Sequence, residues 1–216
     1  MNVIVFGATG MVGQGVLREC LLADDVTQVL VVTRSPTEVR HAKLRELVHR
    51  DFTDLDPIAD DLAGYDACFF CLGVSAAGLD EAAYTKITYD ATMTAARVLA
   101  RHNPDLTFIY VSGEGTDANG RSMWARVKGR TENGVLDLFG NGYAFRPGFI
   151  QPMHGATSRT RWYRLAYKIT NPLFPLLRKI FPRSISTTEQ IGRMMLRVAR
   201  EGYPTRILRS RDLATR

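Results

Sequence analysis

The chain has 216 residues, of which 45% are apolar and 23% are charged, with 28 Lys+Arg against 22 Asp+Glu. This composition excludes a disordered chain, and the length suits one core that removes roughly 70% of the unfolded surface from water. No run of 18 residues is apolar and free of charge, which argues against a membrane-spanning helix. The first residues lack the basic stretch and cleavage site of a signal peptide, so we predict that a strand begins at once.

Apolar runs alternate with helical patterns along the chain. They predict strands at Asn2–Phe6, Gln28–Thr33, 46–50, 66–72, 106–112 and 143–145, and helices at 13–22, 80–102 and 121–139. A polar helix is also predicted to begin at Ser35-Pro36-Thr37. Near the end, a capping box from Ser186 to Glu189 predicts a helix to about residue 200, and residues 204–208 suit a last strand.

Continuous apolar strands separated by helices indicate an α/β fold, a doubly wound parallel sheet of the Rossmann type. We expect this core at residues 1–150. The pattern loosens afterwards, so residues 151–216 are predicted to form a short C-terminal substrate-side subdomain within the same compact domain.

The three cysteines, Cys20, Cys68 and Cys71, are too few and odd in number for a disulfide framework. Cys68 and Cys71 form a C-x-x-C inside an apolar strand, whereas redox pairs of this spacing lie at a helix start. We therefore predict reduced, buried thiols and a cytoplasmic protein. The sequence predicts no metal site.

The first strand leads into Gly7-Ala8-Thr9-Gly10-Met11-Val12-Gly13, a G-x-x-G-x-x-G that opens a helix. This context is typical of a dinucleotide-binding turn, in which the helix start faces the pyrophosphate with unpaired N–H groups. The alternative is a turn that needs glycine for packing only. The predicted cofactor contacts here are Gly7, Thr9, Gly10, Met11, Val12 and Gly13.

Three further strand ends carry predicted cofactor contacts. Arg34 follows the second strand, where NAD-binding proteins usually place an acid, and a guanidinium matches the 2′-phosphate of NADP(H). NADP is therefore favoured over NAD, although Arg34 also suits a solvated loop. Asp51 and Phe52 follow the third strand, where the carboxylate suits either the adenine amino group or an exposed loop. Gly73 lets the backbone pass close to the nicotinamide-side ribose.

These motifs, with YVSG at 110–113, VKGRTE at 127–132 and FRPG at 145–148, resemble the short-chain dehydrogenase/reductase superfamily. The closest resemblance is to its atypical Tat-interacting-protein-like and NmrA-like branch, whose bacterial members often carry the label nucleoside-diphosphate-sugar epimerase. The resemblance implies that Ser112 hydrogen-bonds a substrate carbonyl. It also implies that Lys128 binds the nicotinamide ribose and lowers the pKa of a tyrosine four residues earlier.

Residue 124, the position of that tyrosine, is Trp124. An indole N–H has no proton to exchange near neutral pH, so Trp124 cannot act as the general acid. It suits stacking on the nicotinamide or an aromatic ligand, and equally filling the core. Candidate replacement acids are His154, Tyr84, Tyr89 and Glu114, each of which also suits an ordinary surface or packing role.

Charge is distributed unevenly along the chain. Residues 1–155 carry 14 Lys/Arg and 19 Asp/Glu, and residues 156–216 carry 14 and 3. Residues 161–183 interleave basic and aromatic side chains without an acid, a pattern that suits a lid over the substrate, a protein or homo-oligomer contact, or a peripheral membrane contact, in that order. Nucleic acid is not expected, because no recognition motif accompanies the charge.

Two functions follow from the sequence. The first is an NADP(H)-dependent reductase or epimerase acting on a small carbonyl-type substrate that is not identified. The second is a non-catalytic sensor or interaction module that responds to bound NADP(H). The length leaves little room for the large lobe that binds sugar nucleotides in extended epimerases, which disfavours that substrate class.

Overall fold

The computed structural model describes residues 1–156 and 184–214. Its strands are β1 Asn2–Phe6, β2 Gln28–Thr33, β3 Leu44–Val48, β4 Ala67–Phe70, β5 Thr107–Val111, β6 Gly142–Arg146, β7 Phe149–Gln151, β8 Ile185–Thr187 and β9 Ile207–Arg209. Its helices are α1 Met11–Leu22, α2 Glu81–Thr85, α3 Ala91–His102, α4 Met123–Leu138, α5 Thr188–Glu201 and α6 Ser210–Leu213. A 3₁₀ helix, Asp56–Leu62, and a π-helical turn, Lys86–Asp90, complete the regular structure.

Seven strands form one parallel sheet in the order β3-β2-β1-β4-β5-β6-β9. The strand order reverses between β1 and β4, and open α/β sheets bind their ligands outside the carboxyl ends of the strands at such a reversal. The predicted doubly wound Rossmann fold is confirmed. The glycine-rich turn after β1 therefore lies at the expected ligand-binding edge.

Helices cover both faces of the sheet because the strands are apolar on both faces. On one face, Val3 and Val5 of β1 pack with residues of α1 and α5. On the other face, Ile4 and Phe6 of the same strand pack with residues of α3 and α4. This alternation follows from the two-residue period of a strand.

A row of aromatic rings stabilises the face covered by α3 and α4. The rings of Phe6 and Phe70 lie 5.1 Å apart, those of Phe70 and Phe108 5.9 Å apart, and those of Phe108 and Phe139 5.0 Å apart. Each pair contributes about 1 kcal/mol beyond the burial of its area. The row crosses β1, β4 and β5, the three strands whose ends carry the predicted site.

The C-x-x-C cysteines lie on opposite faces of the sheet. Cys68 belongs to the core beneath α3, and Cys71 packs against the core beneath α1, which also contains Cys20. All three thiols are free, and burial raises the pKa of each. Cys20 and Cys68 are buried as predicted, whereas Cys71 is partly buried.

The polar helix predicted to begin at Ser35 is wrong. No helix lies between β2 and β3, which an irregular loop joins. Side chains hydrogen-bond to the backbone of this loop. Thr33 Oγ1 donates to Ser35 O over 2.8 Å, and Glu46 of β3 accepts from Thr37 N over 2.9 Å. Because β3 begins at Leu44, two residues earlier than predicted, the loop is also too short for a full helix.

The long helix predicted at residues 80–102 is present with one irregularity. Asp80 caps its start by accepting from Ala83 N, and Asn103 ends it while its side chain contacts Leu62 O and Leu99 O. Between α2 and α3, five residues form the π turn. Such turns are rare and occur frequently at functional sites.

The C-terminal part described by the structure belongs to the same layers as the core. Strand β9 extends the main sheet beside β6, and β7 pairs with β8 in a small parallel sheet that the sequence analysis missed. The predicted capping box is one residue too early: Thr187 is the N-cap and pairs with Gln190. The reason is that Ser186 is held in β8 opposite Ile150.

Helix α5 packs closely on α1 through two glycines. A methyl group at Gly15 would lie 2.5 Å from Cβ of Thr188, and one at Gly192 would lie 2.8 Å from Cγ of Glu19. The two helices therefore approach more closely than larger side chains allow.

Over residues 1–156 and 184–214, no helix is both long and apolar enough to cross a membrane. The basic, aromatic stretch at 161–183 lies outside the described residues.

Candidate functional site

The glycine-rich turn is built by close backbone contacts. Gly7 has a φ of +78°, and a side chain there would also lie 2.6 Å from the backbone of Leu72. A methyl group at Gly13 would lie 2.1 Å from the carbonyl oxygen of Gly7. The turn itself therefore requires glycine at both positions. This holds whether the turn binds a dinucleotide or needs glycine for packing only.

The start of α1 has the properties of an anion-binding site. Gly10 is the N-cap, no described side chain caps it, and the first turn contains no acid. The first helical hydrogen bond runs from Gln14 N to Gly10 O, so the N–H groups of Met11, Val12 and Gly13 have no intrahelical acceptor. Unpaired N–H groups and the helix dipole favour a phosphate at this position. Thr9 borders the turn, and its carbonyl accepts from Gln14 Nε2.

Two glycines at the carboxyl edge of the sheet have open space where a side chain would lie. A methyl group at Gly73, after β4, or at Gly113, after β5, meets no atom of the described chain within 4 Å. Packing within the protein therefore does not require glycine at either position. A ligand that passes close to the backbone would require glycine at these positions. The residues present therefore fit a dinucleotide at this edge of the sheet.

Arg34 directly follows β2, at the carboxyl edge of the sheet. Its side chain is exposed and makes no hydrogen bond or ion pair with any residue that the structure describes. The hydrogen bond from Thr33 to Ser35 fixes the turn on either side of it. The guanidinium is thus free to bind an anion.

Asp51 and Phe52 have different surroundings. Asp51 is exposed, and its Oδ1 accepts from Thr53 N and Thr53 Oγ1 over 2.9 and 2.6 Å, which lowers the pKa of the carboxyl group. Phe52 is buried against Phe6, with ring centroids 5.9 Å apart. The aromatic side chain therefore belongs to the core, and only the backbone of Phe52 remains for contact with an adenine.

Ser112 ends β5 with its hydroxyl group buried beside a second hydroxyl. Ser112 Oγ and Thr116 Oγ1 lie 2.8 Å apart, and Thr116 Oγ1 donates to Gly113 O over 2.8 Å. Because Thr116 has a single hydroxyl proton, Ser112 donates to Thr116 in this arrangement. When Ser112 turns its proton to a ligand, Thr116 can donate to Ser112 instead. The sequence analysis missed Thr116.

Lys128 reaches from α4 to the end of β5. Its Nζ donates to Ser112 O over 3.1 Å and to Val111 O over 3.4 Å, and it lies 5.5 Å from the centre of the Tyr110 ring. Burial lowers the pKa of Lys128 to about 8, and the carboxylate of Glu132 opposes this shift. The structure therefore brings Ser112 and Lys128 together, as the resemblance implied.

Trp124 lies one turn before Lys128 on α4 and is half-buried. A methyl group at Gly115 would lie 3.4 Å from its Cη2, so the indole packs over the turn that follows Ser112. Gly115 has a φ of +82°, which favours glycine at this point in the turn. The large ring thus occupies the side of the site where the family places its tyrosine.

The candidate replacement acids lie in other environments. His154 Nε2 is 2.7 Å from Glu189 Oε2 on α5, Tyr84 is buried with its pKa raised by burial, and Glu114 pairs with Arg209 over 3.4 Å. Tyr89 is half-buried beneath the guanidinium of Arg130. The structure shows no hydrogen bond from any of these side chains to Ser112 or Lys128 within the described residues.

A buried ion pair that the sequence analysis missed joins two of the motifs. Arg146 of FRPG donates to both carboxylate oxygens of Glu132 in VKGRTE, with Nε–Oε1 at 2.9 Å and Nη2–Oε2 at 2.5 Å. Glu132 is 1% exposed, and its hydrogen bonds raise the pKa of Arg146. The signal was present in the sequence, because residue 132 lies one helical turn after Lys128 on the same face.

The fold and the glycine-rich turn define a Rossmann-type nucleotide-binding protein of the short-chain dehydrogenase/reductase class. The chain belongs to the family described as NAD(P)H-binding, whose model matches residues 7–133, more than half of the chain. This match confirms the resemblance to that superfamily and the binding of an NAD(P)-type cofactor. It does not distinguish NADP from NAD.

Solved structures show the same fold. The WbmF enzyme of Bordetella bronchiseptica in complex with NAD⁺ is 19% identical with a TM-score of 0.71, over 99% of this chain and 76% of that one. An oxidoreductase of the short-chain dehydrogenase/reductase family from Burkholderia thailandensis is 18% identical with a TM-score of 0.74, over 98% of this chain and 91% of that one.

Fungal proteins are among the curated relatives of this chain. The protein fmp52, mitochondrial, of Emericella nidulans is 29% identical over 157 residues, which are 69% of this chain and 66% of the relative's own length. Further fungal relatives with this name are also designated mitochondrial. The predicted cytoplasmic location is therefore wrong on this comparison. Reduced cysteines indicate reducing surroundings and do not by themselves identify the compartment.

Proposed function

We propose that this chain is an NADP(H)-dependent reductase of a small carbonyl compound. The observation that carries the proposal is the contact between Lys128 Nζ and Ser112 O, over 3.1 Å, at the sheet edge that also carries the glycine-rich turn. It places the ammonium group of Lys128 against the backbone carbonyl of the residue that carries the buried hydroxyl group, beside the predicted nicotinamide position. The cofactor, when bound, supplies the hydride.

Each residue of the site would have its own role in binding or catalysis. Ser112 would polarise the substrate carbonyl, supported by Thr116, and Lys128 would orient the ribose. Donors that are already in place stabilise the oxygen as its negative charge develops. The start of α1 would hold the pyrophosphate. Gly73 and Gly113 would leave space for the sugar and nicotinamide. Asp51 Oδ2 would accept from the adenine.

The preference for NADP(H) rests on Arg34. Calorimetric titration with NADPH and NADH in parallel tests it. A charge-assisted hydrogen bond contributes about 1.5–3 kcal/mol, so Arg34→Ala should weaken NADPH binding about tenfold or more and leave NADH binding unchanged. Arg40→Ala is the matched control, because Arg40 lies in the same loop with its side chain 82% exposed. Equal losses for both cofactors would refute the 2′-phosphate contact.

A second candidate, a non-catalytic NADP(H) sensor, is favoured by Trp124 at the position of the family's tyrosine. Oxidation of NADPH with a panel of aldehydes, ketones and quinones separates the two functions. A reductase turns over at least one compound in its wild-type form. A sensor binds NADPH and turns over none of them, and Trp124→Tyr then restores turnover where Trp124→Phe does not.

A further inference from the structure

The proposed reductase lacks an evident proton donor. Reduction of a carbonyl needs a proton at oxygen as well as a hydride at carbon, and Trp124 does not supply one. Among the described residues, His154 is within hydrogen-bond distance of Glu189, and Tyr84 is buried in the core. Glu114 forms an ion pair with Arg209. Tyr89 lies beneath the guanidinium of Arg130, and within residues 1–156 and 184–214 none of these four side chains hydrogen-bonds to Ser112 or Lys128. This favours a proton donor nearer to Ser112.

Lys128 is such a group. We propose that the Lys128 ammonium is the general acid, which donates its proton to the carbonyl oxygen polarised by Ser112, directly or through one water molecule. Two of its three N–H bonds point to Ser112 O and Val111 O. The third remains to donate to the molecules bound at the end of β5, to the ribose or to the carbonyl oxygen. This inference rests on the proposed reductase function.

The charges around Lys128 favour release of the proton. Glu132 lies on the same helix and opposes the lowering of the Lys128 pKa, but Arg146 of β6 binds both of its oxygens and weakens its attraction. From β5, Lys128 faces the Tyr110 ring, whose phenol remains neutral because burial raises its pKa. Burial then dominates and lowers the pKa of Lys128 to about 8, which suits a general acid that operates near neutral pH.

The step is balanced. Bound NADPH would supply a hydride to the carbonyl carbon, where a C–H bond would form as the C=O π pair moves to oxygen. That oxygen would take a proton from Lys128 Nζ, which gives the alcohol and leaves a neutral amine. The amine would regain its proton from solvent after the product leaves. Ser112 would keep its own proton throughout, and its O–H would again donate a hydrogen bond to Thr116 once the product has left.

The first experiment measures titration without turnover. The chain has five lysines, so ¹³C-lysine labelling gives a small set of side-chain signals, and the signal missing from Lys128→Arg identifies Lys128. The expected midpoint of this signal is near 8. A midpoint at the ordinary lysine value of 10.5 would overturn the proposal whatever the enzyme's activity.

The second experiment measures reduction against pH. Wild-type kcat should fall above a pH of about 8, because the acid must be protonated. Lys128→Arg keeps the charge, but a guanidinium does not release its proton, so kcat should fall about 100-fold or more while the protein still binds NADPH. Lys43→Arg is the matched control, since Lys43 Nζ also donates to two backbone carbonyls, of Leu21 and Ala23.

A third experiment distinguishes the loss of a proton donor from a structural effect of the substitution. Lys128→Ala should regain turnover on addition of methylammonium, because a free amine can enter the vacated volume and donate in its place. Retained kcat and an unchanged pH profile in Lys128→Arg would refute the role of Lys128 alone. A wild-type protein that binds NADPH but reduces no carbonyl compound would refute the reductase function itself, and with it this role.

Discussion

The glycine-rich turn after β1 and the loop and helix after β5 lie at the same edge of the sheet but are built in different ways. In the glycine-rich turn, neighbouring backbone segments lie so close together that a side chain does not fit, as at Gly7 and Gly13. At the second, side chains determine the geometry, through Ser112, Lys128 and the buried pair of Glu132 and Arg146. Backbone geometry tolerates little change, whereas a side-chain site can lose one group and keep the others.

Trp124 illustrates this difference. The glycine-rich turn has the spacing expected of a dinucleotide-binding turn, whereas position 124 departs from the pattern that the resemblance implies. Lys128 and Ser112 are nevertheless in contact. The comparison predicts that substitutions at the two regions will affect stability and binding differently.

The largest expected effect on stability lies in the chemical region. Glu132→Gln should lower the free energy of unfolding by about 3–5 kcal/mol, because it leaves the guanidinium of Arg146 buried without a charge partner. Glu81→Gln is the control, since Glu81 is 46% exposed and its pairs with Arg126 and Arg130 should contribute less than about 1 kcal/mol. Urea unfolding measures both, and similar losses would refute the role of the buried pair.

A smaller loss of stability is expected in the glycine-rich turn, together with loss of the cofactor. Gly13→Ala places a methyl group 2.1 Å from Gly7 O, so the turn and α1 must separate. Overpacking of this kind costs about 1–3 kcal/mol. Thermal unfolding and calorimetry with NADPH measure the two consequences. A variant that binds NADPH as tightly as the wild type would show that the turn does not position the pyrophosphate.

Gly73→Ala should separate binding from stability. Its methyl group enters open space, so the free energy of unfolding should change by less than about 1 kcal/mol. NADPH affinity should fall about tenfold, which corresponds to about 1.4 kcal/mol. Gly140→Ala, another position with open space but in the loop between α4 and β6, should change neither quantity. Unchanged affinity in Gly73→Ala would place the cofactor elsewhere.

The last prediction concerns the dependence of stability on pH. Folding lowers the pKa of Lys128 from 10.5 to about 8, so below pH 8 the folded state pays the full cost of burying a charge. Above pH 10.5 the group is neutral in both states and the cost disappears. The wild type should therefore gain stability relative to Lys128→Met between these pH values, by at most about 1.4 kcal/mol per pH unit. A constant difference would contradict the buried charge.

The sheet was predictable because most of its strands are continuous apolar runs separated by helical patterns. The loop after Thr33 was not, because its proline and hydroxyl residues equally suit a helix start, and the bond from Thr37 to Glu46 of β3 decides the outcome. The three-residue strands β7 and β8 are too short to show a period. Their pairing depends on contacts between residues far apart in the sequence.

The site was predictable to the same extent. Glycine spacing and the four-residue interval between positions 124 and 128 located both regions. The partners of these residues were not predictable. Thr116 meets Ser112 because of the turn at Gly115, and Arg146 meets Glu132 because β6 lies beside β5. The π turn depends on packing of the long helix and leaves no mark in the hydrophobic pattern.

The close crossing of α1 and α5 has a consequence for synthesis on the ribosome. Arg193 of α5 donates a hydrogen bond to Glu19 of α1, 174 positions earlier in the chain. The same crossing covers α1, whose first turn is the candidate phosphate site. Contacts of such high sequence separation form late and slow folding. The nascent chain therefore exposes the apolar side of α1 until α5 has left the exit tunnel. A chain interrupted before residue 192 would retain every glycine of the turn and still present a target for chaperones and proteases.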